Sequence, residues 1–238
     1  MFSPGSVFHE GKRDLEAAGE NILIFYVPME GGRPPDFIKR FSLLLEFLRK
    51  INGRYSLFGH SAGAPLVLKA AMEEDINPQR IFLLSPAPVF GIFHLTPSVI
   101  RSFWFVLRDP FFPFKDIEIS YKQFRWSMVH TLDEEVALKI FSGLQPESGK
   151  LINQIGRWFF NLIERATLID PRLLDCPIDI MIGTADRVTP LSVSKGLEIF
   201  LNNFMKEGAV KLHEFEGCSH FLLDEIRKEI VELISHLN

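Results

Sequence analysis

Apolar residues in this chain fall into two patterns, short unbroken runs and longer runs with helical spacing, and the two alternate. The short runs are NILIFYVP (Asn21 to Pro28), Arg54 to Phe58, RIFLLS (Arg80 to Ser85), IDIMI (Ile178 to Ile182) and VKLHEF (Val210 to Phe215). Each is rich in β-formers and reads as a buried strand. Between them, Phe37, Phe41, Leu44, Leu45 and Leu48 recur on one helix face, opened by Arg33-Pro34-Pro35 and ended by Asn52-Gly53. Ala62 to Glu74, Leu191 to Lys206 and Leu222 to Leu237 also read as helices. Strand and helix in alternation predict an α/β fold around a mostly parallel sheet.

One stretch departs from the alternation. Val89 to Ala166 carries no clear buried strand. It holds all three tryptophans (Trp104, Trp126, Trp158), many phenylalanines, and helix-like runs such as DEEVALKIFSGL and KLINQIGRWFFNLIE. Residues 89–166 are therefore expected to form a helical insertion, with 1–88 and 167–238 making the core.

Composition narrows the function classes. A chain of 238 residues with 47% hydrophobic residues can bury one sizeable core. Its net charge of −4 gives no electrostatic case for nucleic acid or an anionic membrane surface. No run approaches the roughly 20 apolar residues that span a bilayer, and the N-terminal residues do not resemble a signal peptide. Cys176 and Cys218 form no CxxC and no disulfide framework, which favours a reducing, cytoplasmic setting. Scarce glutamine beside plentiful Glu, Lys and Ile leans towards a thermophilic source.

The chemistry concentrates in three loops. Gly59-His60-Ser61-Ala62-Gly63 fits G-x-S-x-G at a strand-to-helix boundary. There a serine can be held in a strained turn that pushes its hydroxyl into the open, Gly59 and Gly63 leaving room for the turn. The Ala62 N–H, at the helix start, can point at a developing oxyanion. A serine needs a base, and the base needs an orienting carboxylate. Asp186 follows the fourth strand in GTADRVTP, and His220 follows the fifth in EGCSHF, both at the strand ends where parallel sheets place their sites. Each residue has a plainer explanation. Asp186 could cap the next helix, and most lone histidines are structural. The order Ser, Asp, His in three such loops favours the chemical one. HExxH, CxxC pairs and a Walker loop are absent from the sequence.

These motifs, GHSAG, GTADRVTP and GCSHF, resemble the α/β-hydrolase superfamily in its serine esterase and lipase branch, over about Gly19 to Asn238 apart from the insertion. The resemblance implies that Ser61 is the nucleophile, His220 its base and Asp186 the orienting carboxylate, with no metal and no organic cofactor. It makes 89–166 a helical cap, or lid, and its aromatic residues an acyl pocket. Family members carry additional strands before the elbow, and a His-Gly loop there gives the second oxyanion N–H. Here Ser3-Pro4-Gly5-Ser6 stands in that place, so Gly5 or Ser6 is the expected donor, and the sheet is expected to lack its first strands. A truncated chain, a strand- or domain-swapped dimer, or direct pairing of NILIFYVP with RYSLF would each answer the gap, and each leaves apolar or unpaired surface, so a homodimer or larger assembly is expected. The implied substrate is a small apolar ester with a medium to long acyl chain. A thioesterase, acyltransferase or aminopeptidase would use the same residues, a lyase or cofactor-free peroxidase would have a similar site, and a non-catalytic fatty-acid-binding protein would keep only the cap.

Overall fold

The computed structural model describes residues 9–17, 19, 21, 23–92, 95–156 and 164–237. Four parallel strands form the main sheet: β1 (Leu57–His60), β2 (Ile81–Leu84), β5 (Ile178–Gly183) and β6 (Val210–Phe215), in the order β1-β2-β5-β6. Register runs Leu57 to Ile81, Ile81 to Ile178, and Ile178 to Val210. Between β2 and β5 lie β3 (Asp116–Ile117) and β4 (Glu147–Ser148), a two-strand antiparallel pair. The helices are α1 (His9–Ala17), α2 (Phe37–Leu48), α3 (Gly63–Ala70), α4 (Pro97–Leu107), α5 (Tyr121–Ser127), α6 (Glu134–Ser142), α7 (Gly149–Gly156), α8 (Leu191–Asn202), α9 (Leu222–Glu225) and α10 (Arg227–Leu237).

Side chains alternate across the sheet with period two, and each face finds its own helices. Ile81, Leu83, Ile178 and Ile180 pack with the apolar faces of α2, α3 and α8. Phe82, Leu84 and Met181 pack with Leu15 of α1 and with Leu222, Leu223, Ile230 and Ile234 of α9 and α10. β5 is buried along its whole length, Asp179 included. That carboxylate is compensated by Arg80 at 2.6 Å and His213 at 2.8 Å, as a buried charge must be.

Helices α4 to α6 build a separate apolar cluster around Val106, Phe112, Phe124 and Ile140, joined by Val188 and Phe221 from the core loops. α7 ties the insertion down. Its Leu151 and Ile155 enter the α2–α3 cluster, Gln154 Oε1 accepts the Phe37 N–H at 2.9 Å, and Arg40 pairs with the buried Glu147.

NILIFYVP is not a strand: no residue from Leu23 to Met29 lies in one, and Leu23 and Tyr26 are exposed. Direct pairing with RYSLF is therefore ruled out for these residues. An apolar run becomes a strand only where a neighbour matches its N–H and C=O groups. Here Phe25 leaves the run to stack on Phe47, with centroids 5.3 Å apart, and a Gly31-Gly32 turn closed by Glu30 and Arg33 follows. Other boundaries shift slightly. α3 stops at Ala70, and the last helix breaks at Ile226 into α9 and α10. No helix among the described residues is long and apolar enough to cross a membrane.

Candidate active site

β1 ends at His60 and the chain turns back immediately into α3. Ser61 carries the reversal with φ 51°, a left-handed conformation that costs a β-carbon-bearing residue energy. The neighbouring backbone holds it there. Ser61 N–H donates to Leu84 O at 2.9 Å, and Ser61 O accepts from Ala64 and Ala87 N–H, both at 3.0 Å. A Cβ on Gly59 would lie 2.7 Å from Val67 Cγ2 and 2.8 Å from Gly63 O, so only glycine lets α3 lie against β1. Gly63 does not need its missing side chain: a Cβ there would meet nothing within 4 Å. It contributes its carbonyl to the close contact at Gly59 rather than room for the turn. The strain does not expose the hydroxyl either. Ser61 is wholly buried, and its Oγ has no hydrogen-bond partner among the described residues. The Ala62 N–H donates to no acceptor among the described residues, which leaves it free beside Ser61. Gly5 and Ser6 lie outside the described residues.

The loops after β5 and β6 are laced together. Thr184 N–H donates to Phe215 O at 2.9 Å, and Ala185 N–H to Cys218 O at 3.0 Å. Gly183 permits this approach, since a Cβ there would sit 2.2 Å from Cys218 O. Asp186 and His220 consequently meet, with His220 Nδ1–H donating to Asp186 Oδ2 at 2.7 Å and both groups buried. Asp186 is also a turn residue: its Oδ1 accepts the Val188 and Thr189 N–H groups at 2.8 and 2.9 Å. Burial pushes its carboxyl pKa up. The His220 imidazole and these N–H groups outweigh burial and hold it below the usual carboxylate range. With Nδ1 committed to Asp186, neutral His220 presents Nε2 as an acceptor. That nitrogen is not bonded to Ser61 Oγ, since Ser61 Oγ has no partner. Such bonds are often long before substrate binds.

Three groups take positioning roles that the sequence does not announce, although His60 stands inside the GHSAG elbow. His60 Nε2 lies 3.0 Å from His220 O, and a carbonyl can only accept, so His60 is the Nε2–H tautomer. Burial, then the adjoining His220, holds the His60 pKa down to about 3, and the ring is neutral. Glu225 accepts from Ser219 N–H at 2.9 Å, from Ser219 Oγ, and from Thr131 Oγ1 at 2.7 Å. His220 N–H donates to Met128 O at 3.2 Å. Thr131 and Met128 belong to the insertion, and Phe221 packs edge-on against Phe124 of α5 at 5.9 Å. The insertion thus rests directly on the histidine loop. Thr189 could have been suspected from Asp-x-x-Thr, a turn spacing in which the hydroxyl returns to the carboxylate; its Oγ1 lies 2.8 Å from Asp186 Oδ2.

Comparison with protein families matches residues 25–233 to the alpha/beta hydrolase family. The chain belongs to the alpha/beta hydrolase family. Among solved structures, a monoacylglycerol lipase from Paleococcus ferrophilus superposes with TM-score 0.71 at 20% identity, covering 100% of this chain and 92% of that one. A lipase-esterase related protein from Clostridium acetobutylicum gives TM-score 0.67 at 18% identity over 100% and 90% of the two chains. An extracellular alpha/beta-hydrolase from a Paenibacillus species gives 0.70 at 15% over 99% and 94%. At such identities the likeness establishes the alpha/beta hydrolase fold alone. Curated protein sequences give no match.

Proposed function

We propose that the chain is a serine carboxylesterase acting on apolar acyl esters. The observation that carries this is the buried Asp186–His220 pair at 2.7 Å beside a serine held at φ 51°. In this reading Ser61 Oγ bonds to the acyl carbonyl carbon as its proton passes to His220 Nε2, and Asp186 steadies the imidazolium. The Ala62 N–H receives the oxyanion. The C–O bond to the alcohol breaks, and the alcohol leaves with the proton from His220. Water, deprotonated by His220, then releases the acid and restores Ser61. In this reading the helical insertion, which meets the His220 loop through Met128 and Thr131, acts as a lid that moves to admit substrate to the buried Ser61 and His220.

Hydrolysis of a p-nitrophenyl acyl series, short to long chain, by the protein and by Ser61→Ala tests this. Activity that rises with acyl length and disappears in Ser61→Ala is the expected result. Equal activity in both proteins, or none in either, overturns it. Uptake of fatty acid without turnover would assign the fold to lipid binding instead.

A further inference from the structure

Trp126, on α5, has two guanidinium groups against its ring: Arg101 from α4 at 4.0 Å and Arg187 from the loop after β5 at 4.8 Å. Arg187 Nη1–H donates to Trp126 O at 2.9 Å, and Arg187 O accepts the Ser102 hydroxyl at 3.1 Å. Neither arginine is paired with a carboxylate among the described residues, whereas Arg40, Arg49, Arg80, Arg125, Arg172 and Arg227 each are. The two cations feel each other: burial, then the charge of Arg101, lowers the Arg187 pKa. His130 lies in the field of Arg187, and its buried Nδ1 has no hydrogen-bond partner among the described residues. Arg101 also lines an open cavity of about 550 Å³ along α4, whose walls include Ile100, Trp104, Phe105 and Arg108. The cavity therefore carries two cations, Arg101 and Arg108, on a wall otherwise made largely of apolar side chains, and Arg187 adjoins it through the shared Trp126 ring.

We propose that Arg101, Arg187 and the α4 cavity bind an amphiphilic organic anion, with its carboxylate or phosphate head on the guanidiniums and its alkyl chain along Ile100, Trp104 and Phe105. Guanidinium is the group best suited to such heads, because its fork of N–H donors matches two oxyanion oxygens. Contact with the Trp126 ring restricts both side chains in advance, which lowers the entropy cost of binding. The site lies on the same seam as the catalytic candidates, since Arg187 adjoins Asp186 and α5 leads to Met128 O, which accepts the His220 N–H.

The test uses the full chain carrying Ser61→Ala, titrated with decanoate, decyl phosphate and decanol, and read by calorimetry and tryptophan fluorescence. It is independent of turnover, so it stands apart from the esterase assay. Both or either anion should bind saturably, at least about 10-fold more tightly than decanol, the tighter one identifying the head group. Arg101→Gln and Arg187→Gln should each weaken the anion at least about 10-fold. Arg101 is exposed, so Arg101→Gln separates loss of binding from loss of fold, checked by an unchanged melting curve. Decanol binding as tightly as the anions, or variants binding the anions like the parent, would overturn the proposal.

Discussion

His60 offers a quantitative check on the closed site. In the folded protein its ring is neutral, its pKa held down to about 3 by burial and by His220, whose ring centroid is 5.0 Å away. In the unfolded chain an ordinary histidine takes up a proton near pH 6.5. The folded state therefore binds fewer protons than the unfolded state between those values. Stability must fall as pH drops from about 6.5 towards about 3, and it is unaffected by His60 above that window. At pH 5 the linkage amounts to roughly 2 kcal/mol. Urea unfolding of the parent and of His60→Gln, measured from pH 7.5 to 5.0 in matched buffers, isolates the contribution. Titrating groups that do not interact with His60 act in both proteins and cancel. The parent should lose about 2 kcal/mol more than the variant over this range. Parallel pH profiles would mean that His60 keeps its ordinary pKa when folded, which is incompatible with its buried place against His220.

Three further predictions follow from particular contacts. Gly183→Ala drives a Cβ into the Cys218 carbonyl and must part the two loops; it should destabilise by about 1–3 kcal/mol and lower kcat, by urea unfolding and ester hydrolysis. Glu225→Gln turns an acceptor for Ser219 N–H into a mixed donor and acceptor. A kcat reduced about 10-fold with KM little changed is expected from the lost fixing of His220, and an unchanged kcat would leave Glu225 a merely structural role. Arg40→Met removes the guanidinium that neutralises the buried Glu147 and should cost about 3–5 kcal/mol in thermal or urea unfolding, most of it recovered in Arg40→Met/Glu147→Leu.

Much of the core could be read from the sequence. IDIMI and VKLHEF are strands where their β-branched residues predict them, because both faces of β5 and the inner face of β6 meet helices. NILIFYVP has the same local character and is not a strand, since apolar composition predicts burial and ladder partners belong to the whole fold. The three loops bearing Ser61, Asp186 and His220 were legible because each stands at the end of a strand. The meeting of Asp186 with His220 also depends on Gly183 and Cys218, a close approach that only the three-dimensional fold reveals. The seating of residues 124–131 on the histidine loop was not legible: the contacts of Met128, Thr131 and Phe124 join residues roughly 90 or more positions apart, and no local pattern marks them. The Arg101–Trp126–Arg187 cluster likewise draws on three separate segments.

The most direct measurement is to react the protein with a fluorophosphonate and locate the adduct by peptide mass spectrometry. A nucleophilic serine activated by His220 should give one covalent phosphonyl group on Ser61, lost in Ser61→Ala and strongly slowed in His220→Ala. An unlabelled Ser61, or labelling that persists at full rate in His220→Ala, would contradict the central claim that the strained serine and the Asp186–His220 pair work as one catalytic unit.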